Sequence, residues 1–184
     1  ERGSTQSSSS AASDGYKGQA GTADVILIPE IPYSLDRVCE KIQERYASGR
    51  WFAIVVAAEG ARALDEEASF IEDKRPGESA RYGGIAERLA HQIGERTDRE
   101  TRSMVLGHLQ RGGQPTARDR VLARRFGAAA VELVDDNCFG CMVALDPPNV
   151  EAVPLADAVR ELKLVPVDGD VVRTARAVGI SLGD

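Results

Sequence analysis

The sequence predicts an α/β protein built on a parallel sheet, and three observations carry that expectation. Residues 24–28 and 51–58 are apolar almost without interruption, as strands covered on both faces are. Between and after them, apolar residues recur at the spacing of a helix with one buried face. The resulting order of strand, helix, strand, helix, strand is the rhythm of parallel strands joined by helical crossovers.

The elements follow in order. Residues 1–19 are serine-rich, without apolar periodicity, and read as a disordered or non-native tail. Order is expected from Ala23, with Asp24 to Ile28 as a strand ended by Pro29. Ser34 offers a helix N-cap, and Leu35, Val38, Cys39, Ile42 and Tyr46 form an apolar stripe up to a stop at Ser48-Gly49. Trp51 to Ala58 is the second strand. Residues 60–80 are charged and aperiodic, a surface excursion. Ile85, Ala86, Leu89, Ala90 and Ile93 mark the next helix, and Met104, Val105 and Leu106 a third buried strand. Pro115-Thr116 opens a long helix with Leu122, Phe126, Ala129, Ala130 and Leu133 on its apolar side. Cys138 to Leu145 and Val150 to Val153 make a hairpin around Asp146-Pro147-Pro148-Asn149. Leu155 to Leu162 is a short helix, and Val171 to Ala177 has weak helical character.

The chain has 184 residues and a net charge of −6, with 42% hydrophobic and 28% charged residues. That composition is ordinary for a globular domain with a sizeable core. The negative balance argues against a nucleic-acid or membrane partner. Arg118, Arg120, Arg124 and Arg125 are expected to be solvated or paired with acids such as Asp119. No transmembrane run or signal peptide is visible, so a cytoplasmic location is expected. Cys138 and Cys141 have CxxC spacing, but no second pair or thioredoxin-like context accompanies them. They read as strand residues in a reducing compartment, and no metal site is expected.

Candidate chemistry concentrates at the third strand. Arg102 precedes it, and His108 and Arg111 follow it among Gly107, Gly112 and Gly113. Guanidinium forks beside glycine backbone are the parts that hold a phosphate. A core strand flanked by solvated arginines is the alternative. In parallel sheets ligands sit at the carboxyl ends of strands. Glu59 and His108 each fall there, whereas Arg102 lies at the amino end, on which ground it serves a different site.

Residues 100–122, ETRSMVLGHLQRGGQPTARDRVL, resemble the phosphofructokinase signature, a GH-aliphatic-QRGG-x-P-x-x-x-DR pattern after a strand. The segments AGTADVILIPEIPYSLDRVCEKIQERYASGRWFAIVVAAEGA and PLADAVRELKLVP resemble flanking parts of the same family, most of all its actinobacterial ATP-dependent type. The resemblance covers about residues 18 to 166 and implies the C-terminal half of a three-layer αβα, Rossmann-like enzyme nearly twice this length. It implies that His108 and Arg111 contact fructose 6-phosphate and that Glu59 accepts hydrogen bonds from sugar hydroxyls. Arg102 would reach the phosphate in a neighbouring subunit's site.

The activity implied is phosphorylation of fructose 6-phosphate to the 1,6-bisphosphate by Mg-ATP, in a homo-oligomer, a tetramer. The nucleotide loop and the catalytic base would lie in the N-terminal half, so no catalytic residue is assigned here. Arg50 fits a basic effector-site position, although Trp51 and Phe52 stand where polar or basic residues are usual. The expected domains are 20–113 for sugar-phosphate binding, 114–166 packing on the N-terminal half, and 167–184 as a C-terminal tail. The alternative function is a non-catalytic sugar-phosphate-binding or regulatory subunit.

Overall fold

The computed structural model describes residues 17–64, 84–160 and 164–184. These divide into two compact units, one of the described residues in 17–105 together with 164–184, the other of residues 106–160. The divisions fall at 105/106 and 163/164, ahead of the expected 113/114 and 166/167.

The first unit has a parallel sheet at its centre. Strand β1 (Val25–Leu27) leads through helix α1 (Leu35–Ala47) to strand β2 (Val55–Ala57), which pairs with it in parallel, Val25 opposite Val55 and Leu27 opposite Ala57. Helix α2 (Ile85–Thr97) follows, and helix α5 (Asp170–Ala177) returns at the end of the chain. Alternation along β1 sorts the core into two layers. Val25 and Leu27 pack with Val38, Cys39 and Ile42 of α1 and with Ile85, Leu89 and Ile93 of α2. Ile26 and Ile28 pack on the other face with Val172 and Ala175 of α5, and with Val165, Ile180 and Leu182. Helices thus cover both faces, and the three-layer αβα arrangement is present. All three residues of β1 are buried, which is why its sequence is continuously apolar.

Residues 167–184, expected as a tail, supply Val172, Ala175, Ile180 and Leu182 to this core. Ser181 bridges Val25 in parallel and exchanges backbone hydrogen bonds with it on either side: Ser181 N–H to Asp24 O at 3.0 Å and Ile26 N–H to Ser181 O at 2.9 Å. Order also starts earlier than expected. Residues 17–20 form a helical turn, and Gln19 Nε2 donates to Val171 O at 3.0 Å. A Cβ at Gly18 would lie 2.7 Å from Ile26 Cδ1, so a larger residue there would have to displace the Ile26 side chain.

Two strand expectations are corrected. The second strand covers only Val55–Ala57, and Trp51 and Phe52 are exposed, Trp51 by 92%. Exposed apolar residues are common enough that composition alone could not exclude this. Met104, Val105 and Leu106 form no strand, and Met104 is 76% exposed. A three-residue apolar run becomes a strand only where a neighbouring strand pairs with it, and among the described residues none does. Of the expected surface excursion, Ala61 is buried and Ala63 bridges Tyr33, while residues 65–83 lie outside the described residues.

Entry to β2 depends on a buried carboxylate. Asp24, 6% exposed, accepts a hydrogen bond from Ile54 N–H at 2.9 Å through Oδ2 and pairs with Arg45 Nε at 3.0 Å through Oδ1. One side chain therefore ties β1, the end of α1 and the start of β2. Asp24→Ala removes the acceptor of Ile54 N–H and the carboxylate paired with Arg45, and is expected to cost about 3 kcal/mol. The midpoint of denaturant unfolding followed by circular dichroism checks this, and an unchanged midpoint would contradict it.

The second unit is a helix on a hairpin. Helix α3 (Ala117–Asp135) starts at Thr116 with a reciprocal cap: Thr116 Oγ1 accepts from Asp119 N–H at 3.2 Å, and Asp119 Oδ2 accepts from Thr116 N–H at 2.8 Å. Asp119, expected as a partner for the neighbouring arginines, is also the capping acid, with Arg118 close enough to act on its charge. Its hydrogen bonds from Thr116 hold its carboxyl below the usual carboxylate range. Strands β3 (Cys141–Asp146) and β4 (Asn149–Pro154) pair in antiparallel register around Pro147 and Pro148, as expected, with a cis peptide between the prolines.

Helix α3 packs on both strands, and Leu122, Phe126, Ala129 and Leu133 are half-buried at helical spacing. Arg125 Nη2 donates to Pro148 O at 2.5 Å and fastens the helix to the hairpin turn. The exposed large apolar residues of α3 are Val121, Val131 and Val134, and Ala130, expected on the apolar side, is exposed as well. Helix α4 (Leu155–Ala158) is shorter than expected, and residues 161–163 lie outside the described residues.

Candidate functional site

Glu59 stands at the carboxyl end of β2, in the turn that leaves the sheet, with its side chain exposed. The turn is held from both sides. Ala58 N–H donates to Leu27 O at 2.9 Å, and Ala61 N–H to Ala58 O at 2.9 Å. The loops after β1 and β2 then zip together, Tyr33 N–H to Arg62 O at 2.9 Å and Leu64 N–H to Tyr33 O at 2.8 Å. A carboxylate so placed can accept hydrogen bonds from hydroxyl groups at the edge where parallel sheets hold ligands. The carboxylate ending the other strand, Glu30, has a structural partner: its Oε1 accepts from Val165 N–H at 2.9 Å.

Arg102 follows a segment fastened to α2, where Thr101 Oγ1 donates to Ala90 O at 2.5 Å. Its guanidinium is exposed and donates twice to Glu100 Oε1, from Nε at 3.0 Å and from Nη2 at 2.7 Å. That pairing raises the pKa of Arg102, so it stays charged at any ordinary pH. An ion pair this exposed is weak, and an anion can compete for the arginine.

His108 and Arg111 belong to a 3₁₀ turn at Gly107–Arg111, where a glycine turn was expected. Leu109 N–H donates to Leu106 O at 2.9 Å and Gly112 N–H to Leu109 O at 3.0 Å, closing the turn at both ends. His108 is exposed. Gly107 and Gly113 flank the turn with φ of +46° and +107°, conformations in which L side chains are strained. The glycines of this motif therefore bend the chain at its entry and exit. Glu59 and Arg102 lie in the first unit, His108 and Arg111 in the second.

Among the described residues no group of three His, Cys, Asp or Glu side chains could hold a metal ion. Nor, among them, is any helix long and apolar enough to cross a membrane. Arg50 and Trp51, at the start of the segment entering β2, are exposed.

A parallel sheet with helices on both faces defines a three-layer α/β architecture. Solved structures share it. A pyrophosphate-dependent phosphofructokinase from Marinobacter aquaeolei matches 95% of this chain and 46% of its own at a TM-score of 0.61 and 22% identity, a likeness of fold. The T-state phosphofructokinase of Pichia pastoris matches 80% of this chain and 16% of its own at a TM-score of 0.57 and 32% identity.

The phosphofructokinase family matches residues 13–134, and the chain belongs to that family. The ATP-dependent 6-phosphofructokinase 2 of Clostridium perfringens is 45% identical over 170 residues, 91% of this chain and 46% of its own length. The ATP-dependent 6-phosphofructokinase 3 of Streptomyces coelicolor is 47% identical over 152 residues, 82% of this chain and 45% of its own. The chain spans about half the length of the curated relatives it matches.

Proposed function

We propose that this chain forms the sugar-phosphate-binding part of an ATP-dependent 6-phosphofructokinase. The observation that carries the reading is the 45% identity to enzymes of that name along 91% of the chain. The placement of Glu59 in an exposed turn at the carboxyl end of β2 supports it. Glu59 orients the sugar by accepting from its hydroxyls, while His108 and Arg111 donate to the phosphate of fructose 6-phosphate. Arg102 donates to the phosphate held by a neighbouring subunit of a homo-oligomer.

Mg-ATP supplies the transferred phosphoryl group, with the metal neutralising charge on its oxygens. The nucleotide, its magnesium and the catalytic base belong to the portion of the relatives this chain does not span. The residues described here bind and orient the acceptor sugar, which lowers the barrier by positioning its hydroxyl. In a complete enzyme carrying this segment, Glu59→Gln keeps the size of the side chain but loses the charged acceptor. It is expected to lower kcat/KM for fructose 6-phosphate by roughly tenfold to a hundredfold. An unchanged kcat/KM would remove Glu59 from the site.

A further inference from the structure

The CxxC pair has no role in the sugar-phosphate reading, and its geometry differs from that of a strand pair. Cys138 sits in the turn that follows α3, and Cys141 is the first residue of β3. Asn137 and Gly140 take positive φ, 55° and 77°, and turn the chain back on itself so that the two sulfurs face each other. They lie 3.3 Å apart. The turn is held at its start, where Cys138 N–H donates to Leu133 O at 2.8 Å, and at its end, where Leu155 N–H donates to Gly140 O at 2.9 Å. Cys138 is exposed and Cys141 half-buried, and Phe139 between them is 71% exposed, so a small reagent can approach.

We propose that Cys138 and Cys141 form a dithiol modification site that exchanges with small-molecule disulfides of the glutathione class and closes to an intramolecular disulfide. The exposed Cys138 thiolate attacks one sulfur of glutathione disulfide, forming a mixed disulfide and expelling one glutathione thiolate. Cys141, after losing its proton to solvent, attacks Cys138 Sγ, forms the internal bond and expels the second glutathione. The two protons released by the protein end on the two glutathione thiols. The dithiol is oxidised by two electrons, and one glutathione disulfide is reduced.

Closing the bond moves the sulfurs from 3.3 Å to about 2.05 Å, a change within reach of side-chain rotation. Cys141 acts second: its hydrogen bond with Cys138 raises its pKa, and it keeps its proton longer than an ordinary thiol. Cys39 lies on the buried face of α1 and takes no part.

The test uses the 184-residue chain in mixtures of reduced and oxidised glutathione, quenched by alkylation and read by mass spectrometry. Free thiols should fall from three to one, with a product lighter by two hydrogens and a peptide pair linking Cys138 to Cys141. Cys138→Ser and Cys141→Ser should each stop at a single glutathione adduct. Half-oxidation of the folded chain should need at least about tenfold less glutathione disulfide than the same chain in urea, because the fold sets the effective concentration of the second thiol. Three free thiols persisting, a wild-type glutathione adduct that does not resolve, a disulfide between two chains, or equal oxidation in urea would each overturn the proposal.

Discussion

Arg102→Ala and Arg111→Ala, each placed in a complete enzyme carrying this segment, should weaken fructose 6-phosphate binding by roughly tenfold to a hundredfold. That range corresponds to the loss of one charge-assisted hydrogen bond to a phosphate. The two should differ in which subunit they serve. Arg102 is held to Glu100 in the first unit, and Arg111 ends the 3₁₀ turn of the second. If Arg102 acts across an interface, mixing the two variants creates hybrid sites in which the Arg111 loop and the neighbour's Arg102 are both intact. Partial recovery of affinity on mixing is expected. Demonstrated subunit exchange without recovery would place both arginines in one subunit's site.

The 184-residue chain by itself should phosphorylate no fructose 6-phosphate, with either ATP or pyrophosphate as donor. Phosphoryl transfer needs a nucleotide cradle, a metal and a carboxylate to take the hydroxyl proton, beyond a sugar pocket. The relatives named for the reaction run about twice as far, since the chain spans 46% of the Clostridium perfringens enzyme. A coupled assay sensitive to turnover far below about 10 per second, the median for enzymes, decides the point. Turnover near that median would show that the apparatus lies within these residues.

What was legible in the sequence was local. The start of α3 at Thr116, the stripe Leu122–Phe126–Ala129–Leu133 and the Pro147-Pro148 reversal are each fixed by residues within a few turns of one another. The stripe of α1, with Val38, Cys39 and Ile42 buried, was equally plain. What failed depended on distant partners. Nothing in Ile180-Ser181-Leu182 announces a bridge to Val25, over 150 residues earlier, so the end of the chain read as a tail. Met104 to Leu106 failed in the opposite direction, because apolar character cannot say whether a pairing strand is present.

The candidate site divides in the same way. Glu59 was readable because an acid after an apolar strand falls at a sheet edge whatever the strand's exact length. The 3₁₀ turn at 107–111 was not, because glycine spacing indicates a bend without fixing its type.

The central claim is that this chain binds the sugar phosphate and leaves the nucleotide to the rest of the enzyme. His108→Ala in a complete enzyme carrying this segment tests it most directly, through separate KM values for the two substrates. The account predicts a KM for fructose 6-phosphate raised by about tenfold or more, with the KM for ATP unchanged. A raised KM for ATP with that for fructose 6-phosphate unmoved would contradict it.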